Sequence, residues 1–341
     1  MTSRIGLVLI LALPAVWARS ADGLLDVVIT PNNGMPALVK PGESFSITSK
    51  SEATFAIQND LGTYPVAVEW APLPGGRFRG TATVPDAAAP GAYAITASTG
   101  DKSDTTVRSV YVLSEFPESY SVAHVSDTHV GSGRHPRPSE AIVQDVFNAV
   151  NATGAAFCLV TGDVTENGEV EQYQNFVKLL DTCTLPTFVV SGNHDRKALN
   201  YENFFGPDAY YFWFGNDGYL GFDTKDFIVA DDLSPQVNLL YPYRRAIKPA
   251  RWAIGFSHRY EADMGMNAQL TLFVDDPLDH FFFGHWHREA RAHEKEVPWN
   301  APGGAVPYTV TPAAINGAMR VFKVDANAIT PEPTQKVAAI E

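Results

Sequence analysis

Five short polar clusters stand in order between residues 127 and 287, and each is rich in side chains that ligate metals. They read Asp127-Thr128-His129, Gly162-Asp163-Val164-Thr165-Glu166, Gly192-Asn193-His194-Asp195, Ser257-His258 and Gly284-His285-Trp286-His287. Five of the nine histidines fall inside them, so imidazole is concentrated where carboxylates and an amide also gather. Mixed imidazole and carboxylate donors suit Zn, Fe or Mn better than Ca or Mg. The inventory of Asp127, His129, Asp163, Asn193, His258, His285 and His287 is large enough for two ions. Two cations about 3.5–4 Å apart can clamp both the attacking and the leaving oxygen of a phosphoryl group and generate hydroxide near neutral pH. They need an anion between them, which a carboxylate supplies.

An apolar run precedes each cluster: Val122-Ala123, Ala155 to Val160, Phe188-Val189-Val190, Trp252 to Phe256, and Phe281-Phe282-Phe283. Short apolar runs ending in polar residues read as buried strands that deliver side chains at their carboxyl ends. That edge is where α/β sheets place their ligand sites. Between the clusters, Pro138 to Asn151 and Glu169 to Asp181 carry helical spacing, and strand–helix–strand alternation implies βαβ units. Tyr210 to Phe214 and Tyr219 to Thr224 read as paired strands, and Ala318 to Val324 as a last one.

The ordered set DxH, GDxx(D/E), GNH(D/E), a lone His and GHxH resembles the calcineurin-like metallophosphoesterases, over about residues 118 to 325. The resemblance implies two mixed sheets packed face to face with helices outside, a four-layer α-β-β-α domain. It implies one metal on Asp127, His129, Asp163 and His287, and a second on Asp163, Asn193, His258 and His285, with Asp163 bridging two divalent or trivalent ions. A hydroxide between the metals would attack phosphorus in line. His194 would face the leaving group, with Glu166 or Asp195 orienting it; for Asp195, capping the following segment is an equal alternative. Purple acid phosphatases also join a β-sandwich to this catalytic fold, but they carry DxG where this chain has Asp127-Thr128-His129, and a ligand tyrosine at the position of Glu166.

Residues 22 to 114 have another character. Seven short alternating segments (25–29, 44–47, 54–57, 66–70, 80–84, 93–97 and 107–113) are separated by turn signals such as Pro41-Gly42, Pro74-Gly75-Gly76 and Pro90-Gly91. That pattern predicts an all-β sandwich of immunoglobulin or fibronectin type. At the start, Arg4, an apolar run from Ile5, and the small residues Ala18, Ser20 and Ala21 follow the order of a secretory signal peptide. The expected organisation is thus a signal peptide at 1–20, a sandwich at 21–115, the catalytic domain at 116–326 and a polar tail at 327–341, in a secreted or periplasmic protein.

The 341 residues suit two domains, and 45% hydrophobic content supports large cores. A net charge of −13 argues against a nucleic-acid polymer or an anionic membrane as partner. The apolar N-terminal run is shorter than the ~20 residues needed to span a bilayer, so no stable insertion is expected. A small phosphomonoester or phosphodiester, such as a nucleotide or a glycerophospho compound, is the expected substrate. A nuclease and a catalytically silent adhesion module are the alternatives. Arg134, His135, Arg137, Arg259 and Arg288 stand beside the clusters as candidate contacts for a substrate anion. Export would permit a disulfide between Cys158 and Cys183, and a pair of buried thiols is the equal alternative. Oligomeric state is not legible.

Overall fold

A computed structural model describes residues 23–100, 102–223, 237–259, 272, 276–291 and 306–341. The proposed signal peptide lies outside the described residues. Among the described residues, no helix is long and apolar enough to cross a membrane.

The first domain holds nine strands: β1 (Val28–Thr30), β2 (Ala37–Val39), β3 (Ser44–Ser49), β4 (Thr54–Asn59), β5 (Gly62–Val66), β6 (Val68–Leu73), β7 (Arg77–Thr83), β8 (Gly91–Thr99) and β9 (Lys102–Val112). They form two sheets, β1-β3-β7-β6 and β2-β9-β8-β4-β5. Alternation along β3 puts Phe45 and Ile47 inside while Ser44 and Ser46 stay exposed. These side chains meet Phe55, Ile57, Tyr93, Ile95 and Val110 of the facing sheet in one core, which makes the domain a β-sandwich. The sequence reading found seven of these segments. It missed β2, which is three residues long, and merged β5 with β6, which are separated by Ala67 alone.

The second domain begins with β10 (Tyr120–Val125), α1 (Ser139–Asn151), β11 (Phe157–Thr161), α2 (Val170–Leu180), β12 (Thr187–Val190), α3 (Asn200–Phe205), β13 (Tyr210–Phe214) and β14 (Asp217–Gly221). It continues with α4 (Val237–Ala246), β15 (Ala253–Phe256), β16 (His280–Phe283), β17 (Ala290–Arg291), β18 (Tyr308–Val310), β19 (Ala318–Val324), β20 (Ile329–Pro331) and β21 (Gln335–Lys336). One mixed sheet runs β12-β11-β10-β19-β20, with β21 also on β19, and the other runs β13-β14-β15-β16-β18-β17. Strands β10, β11 and β12 are parallel, as are β14, β15, β16 and β18.

Every residue of β11, β12, β15 and β16 is buried, as expected for parallel strands covered on both faces. Phe157, Leu159, Phe188, Tyr219, Phe256, Phe282 and Phe322 fill the space between the sheets. Helices α1, α2 and α3 cover the outer face of the first sheet with Val146, Phe147, Tyr173, Phe176 and Phe204. Leu240 of α4 packs on the outer face of the second. The order of layers is therefore α-β-β-α.

The polar tail expected at 327–341 carries two short strands: β20 and β21 pair with β19. A free tail would leave β19 as an open edge, and exposed edges invite foreign pairing. The two cysteines are free buried thiols in the same core.

Candidate metal centre

All five polar clusters lie just past the carboxyl ends of parallel strands, Asp127 after β10, Asp163 after β11, Asn193 after β12, His258 after β15 and His285 after β16. The two sheets present these ends side by side, so residues 160 positions apart meet. The loops are bonded to one another before any ligand is considered. Asp127 donates its N–H to Gly162 O at 3.0 Å, His129 to Asp163 O at 2.9 Å, and Gly284 to His258 O at 2.9 Å. Arg196 forks onto Asp223, tying the loop after β12 to the end of β14.

The backbone marks the site. Among the described residues, seven non-glycines have positive φ, and five of them are Asp127 (55°), His129 (44°), Asp163 (48°), His285 (64°) and His287 (55°). A left-handed L-residue costs roughly 1 kcal/mol or more, so five together cost about 5 kcal/mol, comparable with the net stability of a whole domain. Such conformations persist where the surroundings over-determine them, and they cluster at functional sites.

The donor atoms fall into two groups. Those of Asp127, His129 and His287 lie within 4.8 Å of one another, as do those of Asp163, His258 and His285. Asp163 stands between the groups: its Oδ2 is 3.1 Å from His258 Nε2 and 3.7 Å from His129 Nε2. Its Oδ1 accepts the His194 N–H at 2.9 Å. His287 Nε2 is 3.2 Å from Asp127 Oδ1 and 3.2 Å from His129 Nε2. The Asn193 Oδ1 and Asp127 Oδ1 atoms are buried without a hydrogen-bond partner. Buried acceptors left so are costly, and a cation bound among these donors relieves both. The donor set is imidazole, carboxylate and amide oxygen, so a pair of Zn, Fe or Mn ions fits it.

The second layer fixes which nitrogen faces the centre. His258 Nδ1 donates to Thr161 O at 2.9 Å, which turns Nε2 toward Asp163. His129 Nδ1 lies 2.9 Å from Glu166 Oε2, so the carboxylate sits against the ring and its charge favours the imidazole as a ligand. Burial opposes charge on His258, but Asp163 overrides it and lifts His258 to about 9. Burial likewise opposes charge on Asp163, and His258 holds it well below the carboxylate range. His285 is pushed down to about 4 by burial and by the neighbouring His258 charge.

The orienting of His194 differs from the reading above. Its Nδ1 donates to the backbone carbonyl of Glu166 at 2.7 Å, while the Glu166 carboxylate faces His129. The Asp195 carboxylate is fully buried and accepts from Val164 N, Thr165 N, Thr165 Oγ1 and Gly192 N at 2.8–3.1 Å. It staples the loop of Asp163 to the loop of Asn193, and none of these bonds goes to the segment that follows it. Burial and the nearby Asp163 charge push it up to about 6.

Of the candidate substrate contacts, Arg134 reaches the centre, its Nη1 2.7 Å from His287 Nδ1. His135 pairs with Asn316 and Arg137 with Asp145. Arg259 is buried and Arg288 lies over the Trp286 ring. Sequence reasoning missed the Thr161 carbonyl and the use of Glu166 on His129. Backbone acceptors carry no residue signature, and Glu166 could equally have faced His194.

The model of the calcineurin-like phosphoesterase family matches residues 120–289. A probable glycerophosphodiester phosphodiesterase of Arcobacter nitrofigilis is 34% identical over 112 residues, 31% of this chain and 40% of that protein. A probable cyclic nucleotide phosphodiesterase of Coxiella burnetii is 29% identical over 110 residues, 31% of this chain and 43% of that protein. The matches thus span less than half the length of these curated relatives. The purple acid phosphatase of yellow lupin seeds superposes with a TM-score of 0.56 at 12% identity, over 89% of this chain and 72% of that one, which shows a shared fold. Residues 120–289 are a calcineurin-like phosphoesterase domain, of a family that works through a dinuclear metal centre.

Proposed function

We propose that this protein is a metal-dependent phosphodiesterase acting on small molecules, with Zn, Fe or Mn held by Asp127, His129, Asp163 and His287 on one side and by Asp163, Asn193, His258 and His285 on the other. The observation that carries the reading is the single Asp163 oxygen lying between His258 Nε2 and His129 Nε2. Bound there, a metal pair supplies a nucleophile at neutral pH and stabilises charge on the phosphoryl oxygens. The protein's own groups do the rest. The guanidinium of Arg134, exposed beside His287, offers a fork to a non-reacting phosphate oxygen. The ring of His194 stands 4.8 Å from that of His129. Its Nδ1–H is held by Glu166 O, so Nε2 is the atom that gives a proton to the departing alkoxide.

Both curated relatives are named for diester substrates, one glycerophosphodiesters and the other cyclic nucleotides, which favours a small diester over a monoester. The acidic balance of the chain offers no basic track for a polymer. A sandwich of immunoglobulin or fibronectin type and export to a secreted or periplasmic location complete the proposal.

The test is metal content and turnover together. The purified protein should hold two equivalents and hydrolyse bis(nitrophenyl) phosphate, glycerophosphocholine or a cyclic nucleotide faster than nitrophenyl phosphate. Asp163→Asn should lose both equivalents by elemental analysis while keeping its circular dichroism. Two equivalents in that variant would sink the bridging assignment. Full metal with no turnover on any ester would leave the silent binding module.

A further inference from the structure

Arg320 lies in β19 and is fully buried, the largest such side chain among the described residues. A buried guanidinium is costly unless it is paired and its hydrogen bonds are met, and its partners here come from three parts of the chain, the Val310 carbonyl of β18 at 3.4 Å among them. Nη2 is 3.0 Å from Glu289 Oε1. The same nitrogen donates to Thr334 Oγ1 at 2.9 Å, and Nη1 donates to Glu332 O at 2.9 Å. Thr334 Oγ1 in turn donates to the other Glu289 oxygen, Oε2, at 3.0 Å. The three side chains close a ring.

Glu289 ends the turn that begins at Gly284 and carries His285 and His287, both left-handed. Beyond it, β17 pairs with β18. Glu332 and Thr334 lie between β20 and β21, in the segment that folds back on β19. The amino-terminal side of the turn is fixed by His285 N donating to Asp127 Oδ2 at 2.9 Å. The Arg320 ring holds its carboxyl-terminal side.

We infer that Arg320, Glu289 and Thr334 are positioning residues for the metal centre, and that the C-terminal segment is a working part of that centre because it clamps the turn bearing His285 and His287. A two-point hold keeps two left-handed ligands in place, since releasing either end lets the turn relax into ordinary backbone. This rests on the reading of His285 and His287 as metal ligands.

The test measures affinity for Zn²⁺ and for Mn²⁺ by chelator competition in the full-length protein, beside thermal melting of the metal-free form. Glu289→Gln should weaken binding ~10–100-fold, the range typical of supports behind metal ligands. That variant also leaves Arg320 without its counter-charge and risks misfolding, so Thr334 supplies the second arm. Thr334→Val removes one bond of the ring at constant volume and should weaken binding roughly tenfold, with melting of the metal-free protein near that of the wild type. Thr334→Ser keeps the hydroxyl and should restore the affinity. Wild-type affinity in Thr334→Val and in folded Glu289→Gln would overturn the clamp while leaving the metal centre standing. Failure of the unmodified protein to bind either ion would overturn the metal reading and the clamp with it.

Discussion

His258 and His285 approach within 3.0 Å, yet their environments drive them apart. Asp163 keeps His258 protonated up to about 9, and that charge helps to hold His285 neutral down to about 4. In the metal-free protein at neutral pH, one proton therefore sits on a ligand nitrogen. A metal must displace it, because only the neutral imidazole ligates. Affinity should rise with pH, about tenfold per unit through neutrality, and flatten above about 9, since the folded pKa of His258 is raised rather than lowered. Calorimetry in two buffers of different ionisation enthalpy would show about one proton released per dinuclear centre at pH 7; binding without proton release would contradict the His258–Asp163 pairing. His194 gives a different test at the same scale. His194→Ala should retain both metals and lose ~10²–10⁴-fold in turnover on an alkyl ester, with a much smaller loss on a nitrophenyl ester, whose leaving group needs no proton. An equal loss on both would assign His194 to charge stabilisation, and lost metal would make it a ligand.

At the scale of elements, the strand ends do the positioning, and glycine is what lets them close up. A Cβ on Gly284 would run into Ser126 Oγ and Asp127 Oδ2, and one on Gly192 into Asp163. Gly284→Ala should therefore push the turn of His285 and His287 away from Asp127. We expect metal content near zero by elemental analysis in a protein that still shows native circular dichroism; full occupancy would mean the loops have room that the structure denies them.

Much of this was legible locally. Apolar runs ending in Asp127, Asp163, Asn193, His258 and His285 became strands delivering those residues, and α1 and α2 lie where helical spacing put them. What escaped the sequence is non-local. The three-residue β2 carries too little alternation to stand out, and β20 and β21 are short and polar because pairing with β19, not burial, makes them strands. Arg320 carried the one available hint, a charge inside the apolar run Ala318 to Val324, but nothing in that run names Glu289, 31 residues away.

At the scale of the molecule, the two domains are interlocked rather than strung on a linker. Every proposed ligand lies beyond Glu115, which by sequence alone suggests that the catalytic domain could stand by itself. The structure argues otherwise. The loop between β1 and β2 enters the second domain: Met35 packs in the core between its two sheets, and Gly34 O accepts the Val189 N–H of β12 at 2.8 Å. Asn32 donates to Phe205 O and Asn33 to Asp181 Oδ1. Leu25 N donates to Asn203 O at 2.9 Å, and Arg108 to Asp181 O at 3.1 Å. Strand β12 is the edge of its sheet and leads directly to Asn193, so the first domain covers an edge that feeds the metal centre. Removing it would orphan the buried Val189 N–H, at about 1–3 kcal/mol, and would vacate the Met35 slot, at about 2–5 kcal/mol if the gap stays open. For a domain of this size 1 kcal/mol is worth about 2–4 °C. A chain beginning at Glu115 should thus melt roughly 10 °C or more below the full-length protein, or be recovered insoluble, and should bind metal more weakly where Asn193 contributes. Calorimetry of both chains, metal-free and metal-loaded, decides it. An unchanged melting temperature would show that the first domain rests on the second without bracing it.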